Sequence, residues 1–280
     1  MASFNLAIRR VVPSLAKLTY NPLFKVFLNA GDWPAKALFP RLRRLPPNHL
    51  RVRVGVSNKL FTNQVSYLAE RWGLWLAMAL DGLWDLDSTI VEIGCGCGRA
   101  AHILRDFRFY DRRFRGHYYG IDIDDEALEW CREHFDAVRF TFMKSSHASQ
   151  TYGKDANASP RYTIDLPDDS ADLIFSSSLF SHLLEAEMQN YFEESRRILK
   201  PGRSMFMSVF CMDYPPPTMG DRHTFRHRVG NAYVESLRVP EAAVAYEADF
   251  LHALARDTGF ADSKMIHSAG AWQPYLICQK

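Results

Sequence analysis

An α/β fold built on a mostly parallel sheet is predicted by three observations. From Thr89 onward, short apolar runs alternate with longer helical stretches, the rhythm of strands joined by crossover helices. One of these runs, Thr89–Ile93, passes straight into glycines at alternate positions, Gly94, Gly96 and Gly98, and then into a helix starting near Arg99. With 280 residues, 47% of them hydrophobic and 24% charged, the chain can bury one large domain and carry an extension.

The extension comes first. Phe4, Ile8, Val11, Leu15 and Leu18 recur at three- and four-residue steps, one face of a helix that Pro13 must bend or restart. Asn21-Pro22, Trp33-Pro34 and Leu45-Pro46-Pro47 then divide the segment into short helices and turns rather than one rod. A helical stretch follows over roughly Asn58–Leu83. Strands are expected at Thr89–Ile93, His117–Asp122, Val138–Phe142, Ala171–Ser176, Ser204–Phe210, Ala261–His267 and Tyr275–Cys278. Helices are expected at Arg99–Arg105, Asp125–Glu133, Ala186–Leu199 and Tyr246–Thr258. Residues 213–239 break the rhythm with Asp213-Tyr214-Pro215-Pro216-Pro217 and an Arg/His run, and read as an inserted loop or lid. The division is therefore residues 1–84 as a helical basic extension or cap, and 85–280 as the main domain.

Charge is distributed unevenly. Ten Lys/Arg against the single acid Asp32 give residues 1–53 a charge of +9, although the whole chain is only +2, so the remainder is −7. Such an arm favours anionic lipid, nucleic acid or the protein's own acidic face. It serves either as a cap on the substrate cleft or as a membrane-surface helix; the prolines that interrupt it favour the cap. No apolar run spans a bilayer and the N-terminus does not have the pattern of a secretory signal, so the expected compartment is the cytoplasm, with membrane association through residues 1–53 as the variant. Five cysteines in no regular framework point to reduced thiols. Cys95 and Cys97 have no second Cys/His pair at zinc spacing, so no metal is expected and both read as small residues filling the loop.

A glycine-rich loop between strand and helix lets a ligand lie against the backbone, with helix N–H groups aimed at it. Asp122, ending the second strand, is placed to accept hydrogen bonds from the ribose hydroxyls of an adenosine. A dinucleotide fingerprint needs a third glycine where Arg99 stands. The run Glu92-x-Gly94-x-Gly96-x-Gly98 instead resembles the first motif of class I S-adenosylmethionine-dependent methyltransferases. Leu166–Phe175 resembles that family's entry to its fourth strand, and Arg197-Ile198-Leu199-Lys200-Pro201-Gly202 its turn into the fifth. Within the family, Ser176–Leu183 is similar to a Phe-Thr-His-Met/Leu variety, whose upstream Leu-Pro-Pro and Arg-Val-Gly are matched by Leu45-Pro46-Pro47 and Arg53-Val54-Gly55.

The resemblance implies a Rossmann-like, mostly parallel seven-stranded sheet with helices on both faces and a final reversed strand within Trp272–Cys278. It implies S-adenosylmethionine as cofactor, held by Glu92, Gly94, Cys95, Gly96, Gly98, Asp122, Ile123 and Ser177. Two positions depart from the pattern: Arg203 replaces the second glycine of the Lys-Pro-Gly-Gly turn, and Lys144-Ser145-Ser146-His147 replaces the acid after the third strand. The competing classes are a nicotinamide oxidoreductase and a binding module that keeps the fold without the reaction.

For a hydroxyl acceptor the chemistry needs a base near neutral pH, and His182, just past the fourth strand, is the leading candidate. His223 and His227 rank below it. Nucleic acid and protein amino groups are not the expected acceptors, because the Asn/Asp-Pro-Pro-aromatic motif that many N-methyltransferases of those substrates place after the fourth strand is absent there. O-methylation of a small molecule, sugar or lipid-linked glycan is the expected activity.

Overall fold

The computed structural model describes residues 18–54, 60–61, 63–108, 110–145, 161–221, 223–267 and 272–280. The stripe from Phe4 to Leu15, Gly55, Ser146, His147 and Arg222 lie outside them.

Helix α1 (Pro22–Leu38) begins where Asn21 accepts hydrogen bonds from the N–H groups of Leu23 and Phe24, with Pro22 in the first turn. It runs through Pro34. The expectation that Trp33-Pro34 divides this stretch is therefore corrected: a proline forfeits one helical hydrogen bond, which a helix anchored at both ends tolerates. A 3₁₀ turn (Pro40–Arg44), α2 (Asn48–Arg53) and α3 (Gln64–Leu80) complete the extension.

The main sheet comprises β1 (Thr89–Ile93), β2 (His117–Asp122), β3 (Phe140–Lys144), β4 (Ala171–Ser176), β5 (Leu199–Ser208), β10 (Asp262–Ile266) and β11 (Tyr275–Gln279). Its order is β10-β11-β5-β4-β1-β2-β3, parallel except that β11 runs against both neighbours. The reversed strand is where the resemblance placed it. Strand order turns back between β1 and β4, which opens a crevice at their carboxyl ends.

Both faces are covered. Ile90, Leu173, Phe175, Phe206 and Ile277 point into one core with α4 (Arg99–Asp106), α5 (Asp125–His134) and the N-terminal helices. Their chain neighbours Val91, Ile174, Met205 and Leu276 point into the other, with α6 (Glu185–Ile198) and α7 (Ala248–Asp257). The period-two alternation of strands thus divides continuous apolar runs between two cores.

Two strand starts move by more than one residue. β3 starts at Phe140 rather than Val138, because Asp136 accepts the N–H groups of Val138, Arg139 and Phe140 in a turn. β5 starts at Leu199, and Gly202 takes the positive φ of 74° there, so Arg203 keeps a negative one and reaches Asp172. Residues 213–239 are not a structureless lid. With their flanks they form a second sheet, β6 (Phe210–Cys211), β7 (His227–Val229), β8 (Ala232–Val234) and β9 (Val244–Tyr246), in the order β6-β9-β8-β7.

Candidate functional site

The loop after β1 is bound to the tip of β2. The N–H groups of Gly94 and Cys95 both donate to the carbonyl of Ile121, at 2.8 and 3.0 Å. Gly94, Gly96 and Gly98 all have positive φ. At Gly96 the need for glycine is steric as well: a Cβ there would lie 2.4 Å from Cγ1 of Val54. Cys95 and Cys97 are buried, and burial pushes both thiols up, Cys97 to about 12, so both stay protonated and inert. Among the described residues no three His, Cys, Asp or Glu side chains stand together as a metal site.

Asp122 is the anchor of this loop. Its Oδ2 accepts from Gly96 N at 2.7 Å, and its Oδ1 accepts from Ile123 N and Asp124 N at 2.8 and 3.0 Å. Burial pushes its pKa up while these hydrogen bonds oppose the rise. Ile123 is half-buried and contributes through its backbone. Glu92 lies beneath the loop, paired in register with Gly120 and Phe175, and accepts from the hydroxyl of Tyr118. Burial pushes Glu92 up to about 8 against the hydrogen bond from Tyr118 and the charge of Arg71, so it is largely protonated near neutral pH. Ser177, leaving β4 on the other side of the crevice, accepts a hydrogen bond from the Arg71 guanidinium.

His182 ends a 3₁₀ turn (Phe180–His182) just beyond β4. Its Nδ1 lies 2.8 Å from the backbone carbonyl of Glu241. A carbonyl only accepts, so Nδ1 carries the proton and Nε2 is the basic nitrogen of the neutral ring. Burial lowers the pKa against the backbone hydrogen bonds of Glu241 and Ala242, which raise it, so the neutral ring is favoured. His223 is buried elsewhere, stacked on Phe225 at 5.5 Å and edge-on to Trp272 at 5.6 Å. His227 lies with Arg226 and Arg228 on an exposed strand edge. The carboxylate of Asp213 accepts from Ala248 N at 2.7 Å and caps α7, so the Asp213-Tyr214-Pro215-Pro216 run is structural.

Residues 91–207, from the middle of β1 to the end of β5, match the family model described as a methyltransferase domain. Residues 91–207 are therefore a methyltransferase domain of the class I S-adenosylmethionine-dependent kind. Among solved structures, a "possible exported protein" from Bordetella parapertussis is 17% identical with a TM-score of 0.53, covering 100% of this chain and 97% of that one. A methyltransferase from Aquifex aeolicus is 17% identical, with a TM-score of 0.46 and coverage of 77% and 92%. An arsenic(III) methyltransferase from Chlamydomonas reinhardtii is 23% identical, with a TM-score of 0.42 and coverage of 69% and 62%. At 17% identity the likeness to the Bordetella protein is one of fold alone.

The site fits the methyl donor of the family. An ionised carboxylate offers about four acceptor positions. Backbone N–H groups take three on Asp122, which leaves room for one ribose hydroxyl rather than two. Two features of this methyltransferase have no sequence signal. Arg71, on α3, lies between Ser177 and Glu92 without any motif around it. The other is a latch that holds the extension over the loop. Arg53 pairs with Asp124 at 2.9 Å and with Glu126 at 2.7 Å, while Lys25 and His49 reach Glu126 at 2.7 and 2.9 Å. Burial alone would raise Glu126, but hydrogen bonds from Lys25, Arg53 and His49 hold it at about 2. The ring of Tyr20 lies 3.9 Å under the Arg53 guanidinium. Three of the arm's ten Lys/Arg, namely Lys25, Arg44 and Arg53, thus meet the domain's own acids, and Val54 is set down on Gly96.

Proposed function

We propose that this methyltransferase transfers the methyl group of S-adenosylmethionine to a hydroxyl of a small molecule, sugar or lipid-linked glycan, with His182 as general base. The observation that supports this proposal is the hydrogen bond from His182 Nδ1 to the carbonyl of Glu241, which puts the ring proton on Nδ1. The sulfonium supplies an already activated methyl group. The protein's work is to align the acceptor, exclude water and remove the hydroxyl proton, and alignment alone is worth up to roughly 7–11 kcal/mol.

Glu92, Gly94, Cys95, Gly96, Gly98, Asp122, Ile123 and Ser177 hold the cofactor. Asp122 takes a ribose hydroxyl, the loop backbone lies along the ligand, and Arg71 beside Ser177 receives the carboxylate of the methionine end. Residues 1–84 act as the cap, and residues 85–280 form the catalytic domain. Asp122→Ala removes the ribose contact and leaves Gly96 N without its acceptor. Affinity for S-adenosylhomocysteine is expected to fall by about 1–3 kcal/mol in calorimetry. Unchanged affinity would move the ribose away from β2.

The acceptor is tested by supplying methyl-labelled S-adenosylmethionine with a panel of sugars, glycolipids, phenols and amines and locating the label by mass spectrometry. Label on oxygen supports the proposal. Label confined to nitrogen, or to protein or nucleic acid, overturns it.

A further inference from the structure

Helix α1 is inside out. Its polar residues face the protein: Asp32 is 2% exposed and pairs with Arg51 at 2.6 Å, Lys25 pairs with Glu126, and Asn29 Oδ1 accepts from the backbone N–H of His49. Apart from buried Leu28 and half-buried Phe24, its large apolar residues face out: Leu23 is 81% exposed, Trp33 71% and Leu38 75%, and Val26 and Phe27 are exposed between them. At 100° per residue these five positions fall within an arc of roughly 140°. An exposed apolar face of this kind marks a binding surface.

Positive charge follows the apolar face along the chain. Arg41 and Arg43, in the 3₁₀ turn after α1, are exposed and make no ion pair among the described residues, and Arg43 Nε donates to the carbonyl of Lys36 at 3.1 Å. Arg44 lies 3.6 Å from Asp106, at the end of α4. The next residue, Phe107, packs against Trp72, which begins a second exposed apolar stripe on α3 with Leu76 and Leu80.

We infer that the outer face of α1 docks on an anionic lipid surface. The helix lies in the interface with Trp33 at headgroup level, and Arg41 and Arg43 meet the phosphates. Charge complementarity selects this occupant. In an isologous dimer through this face Arg41 and Arg43 would find no acid, because Asp32, the one acid between Pro22 and Arg44, is buried against Arg51. Docking also agrees with the latch, because the polar side of α1 that holds the cap is the side turned away from the lipid. The inference does not depend on which acceptor is methylated. α1 does not cross the bilayer, since no helix among the described residues is long and apolar enough to do so.

The test is flotation of the full chain with vesicles of phosphatidylglycerol and phosphatidylcholine in equal parts, and with phosphatidylcholine alone. Binding to the anionic vesicles is expected to be at least about tenfold tighter and to weaken as salt rises. The double variant Leu23→Ser, Trp33→Ser should lose binding about tenfold or more, and Arg41→Gln, Arg43→Gln should erase the preference for anionic lipid. All four side chains are exposed, and retained affinity for S-adenosylhomocysteine shows that each variant is folded. Three results would overturn the inference: no flotation of the wild type, flotation gained only when residues 1–17 are removed, or a wild-type dimer that the Ser variant dissolves without any vesicle binding.

Discussion

Gly96→Val is expected to abolish S-adenosylhomocysteine binding, and to do so by breaking the fit between the loop and its cap. The added Cβ would meet Cγ1 of Val54 at 2.4 Å, well inside contact distance, in a backbone with φ of 52°. A left-handed conformation costs a non-glycine residue roughly 1–2 kcal/mol. Overpacking in a closed site adds about 1–3 kcal/mol. Relief comes either from lifting Val54, which pulls on the Arg53 latch, or from moving the loop, which breaks the Gly96 N–Asp122 hydrogen bond. Both routes damage the cofactor site, and the melting temperature falls with them. Gly202→Val is the control: its φ is 74°, but nothing lies within 4 Å of the added Cβ. It therefore carries the backbone strain without the collision, and its cofactor affinity stays near wild type. Intact calorimetric binding in Gly96→Val would contradict the placement of the cofactor on this loop.

His182→Ala is expected to lower turnover by about 10²–10⁴-fold and to leave S-adenosylhomocysteine affinity unchanged, the range set by general-base catalysis. Burial holds the folded-state pKa of His182 below its ordinary value of 6.5. The sign follows from the proton balance. As pH falls below that value the unfolded chain takes up a proton that the folded chain refuses, so stability declines on the acidic side. Wild-type turnover should therefore hold down to a pH below the usual histidine range and be lost as Nε2 protonates. His182→Ala removes that acidic limb. It also removes the hydrogen bond to the Glu241 carbonyl, worth about 0.5–1.5 kcal/mol, which fastens the second sheet to the end of β4. A variant that keeps wild-type turnover and loses only this stability would make His182 a clasp and move the search for the base elsewhere.

The frame of the domain was legible because strong local signals coincide in it. β1, β2 and β4 begin and end where their apolar runs do. Glycine spacing and the acid that ends β2 located the loop and its anchor, and Arg99 separated them from a dinucleotide fingerprint. What escaped depends on contacts between distant residues. Nothing near Arg53 announces Asp124 or Glu126, more than seventy positions on. Val54 reaches Gly96 only once the extension has folded back. Arg71 stands in an ordinary helix, and its place beside Ser177 is a product of packing. The second sheet looks like a loop in the sequence because its strands are two or three residues long, too short for any period to show. At Pro34 local propensity misled: a helix end was expected, and the ion pairs of Asp32, Lys25 and Lys36 hold the helix through it.

The central claim, a glycine loop and Asp122 shaped for an adenosine with an amino-acid tail, is tested most directly by titrating the purified chain with S-adenosylhomocysteine and, separately, with NAD in a calorimeter. One-to-one binding of S-adenosylhomocysteine with little or no heat from NAD is the expected result. Tight binding of NAD with none of S-adenosylhomocysteine would contradict it.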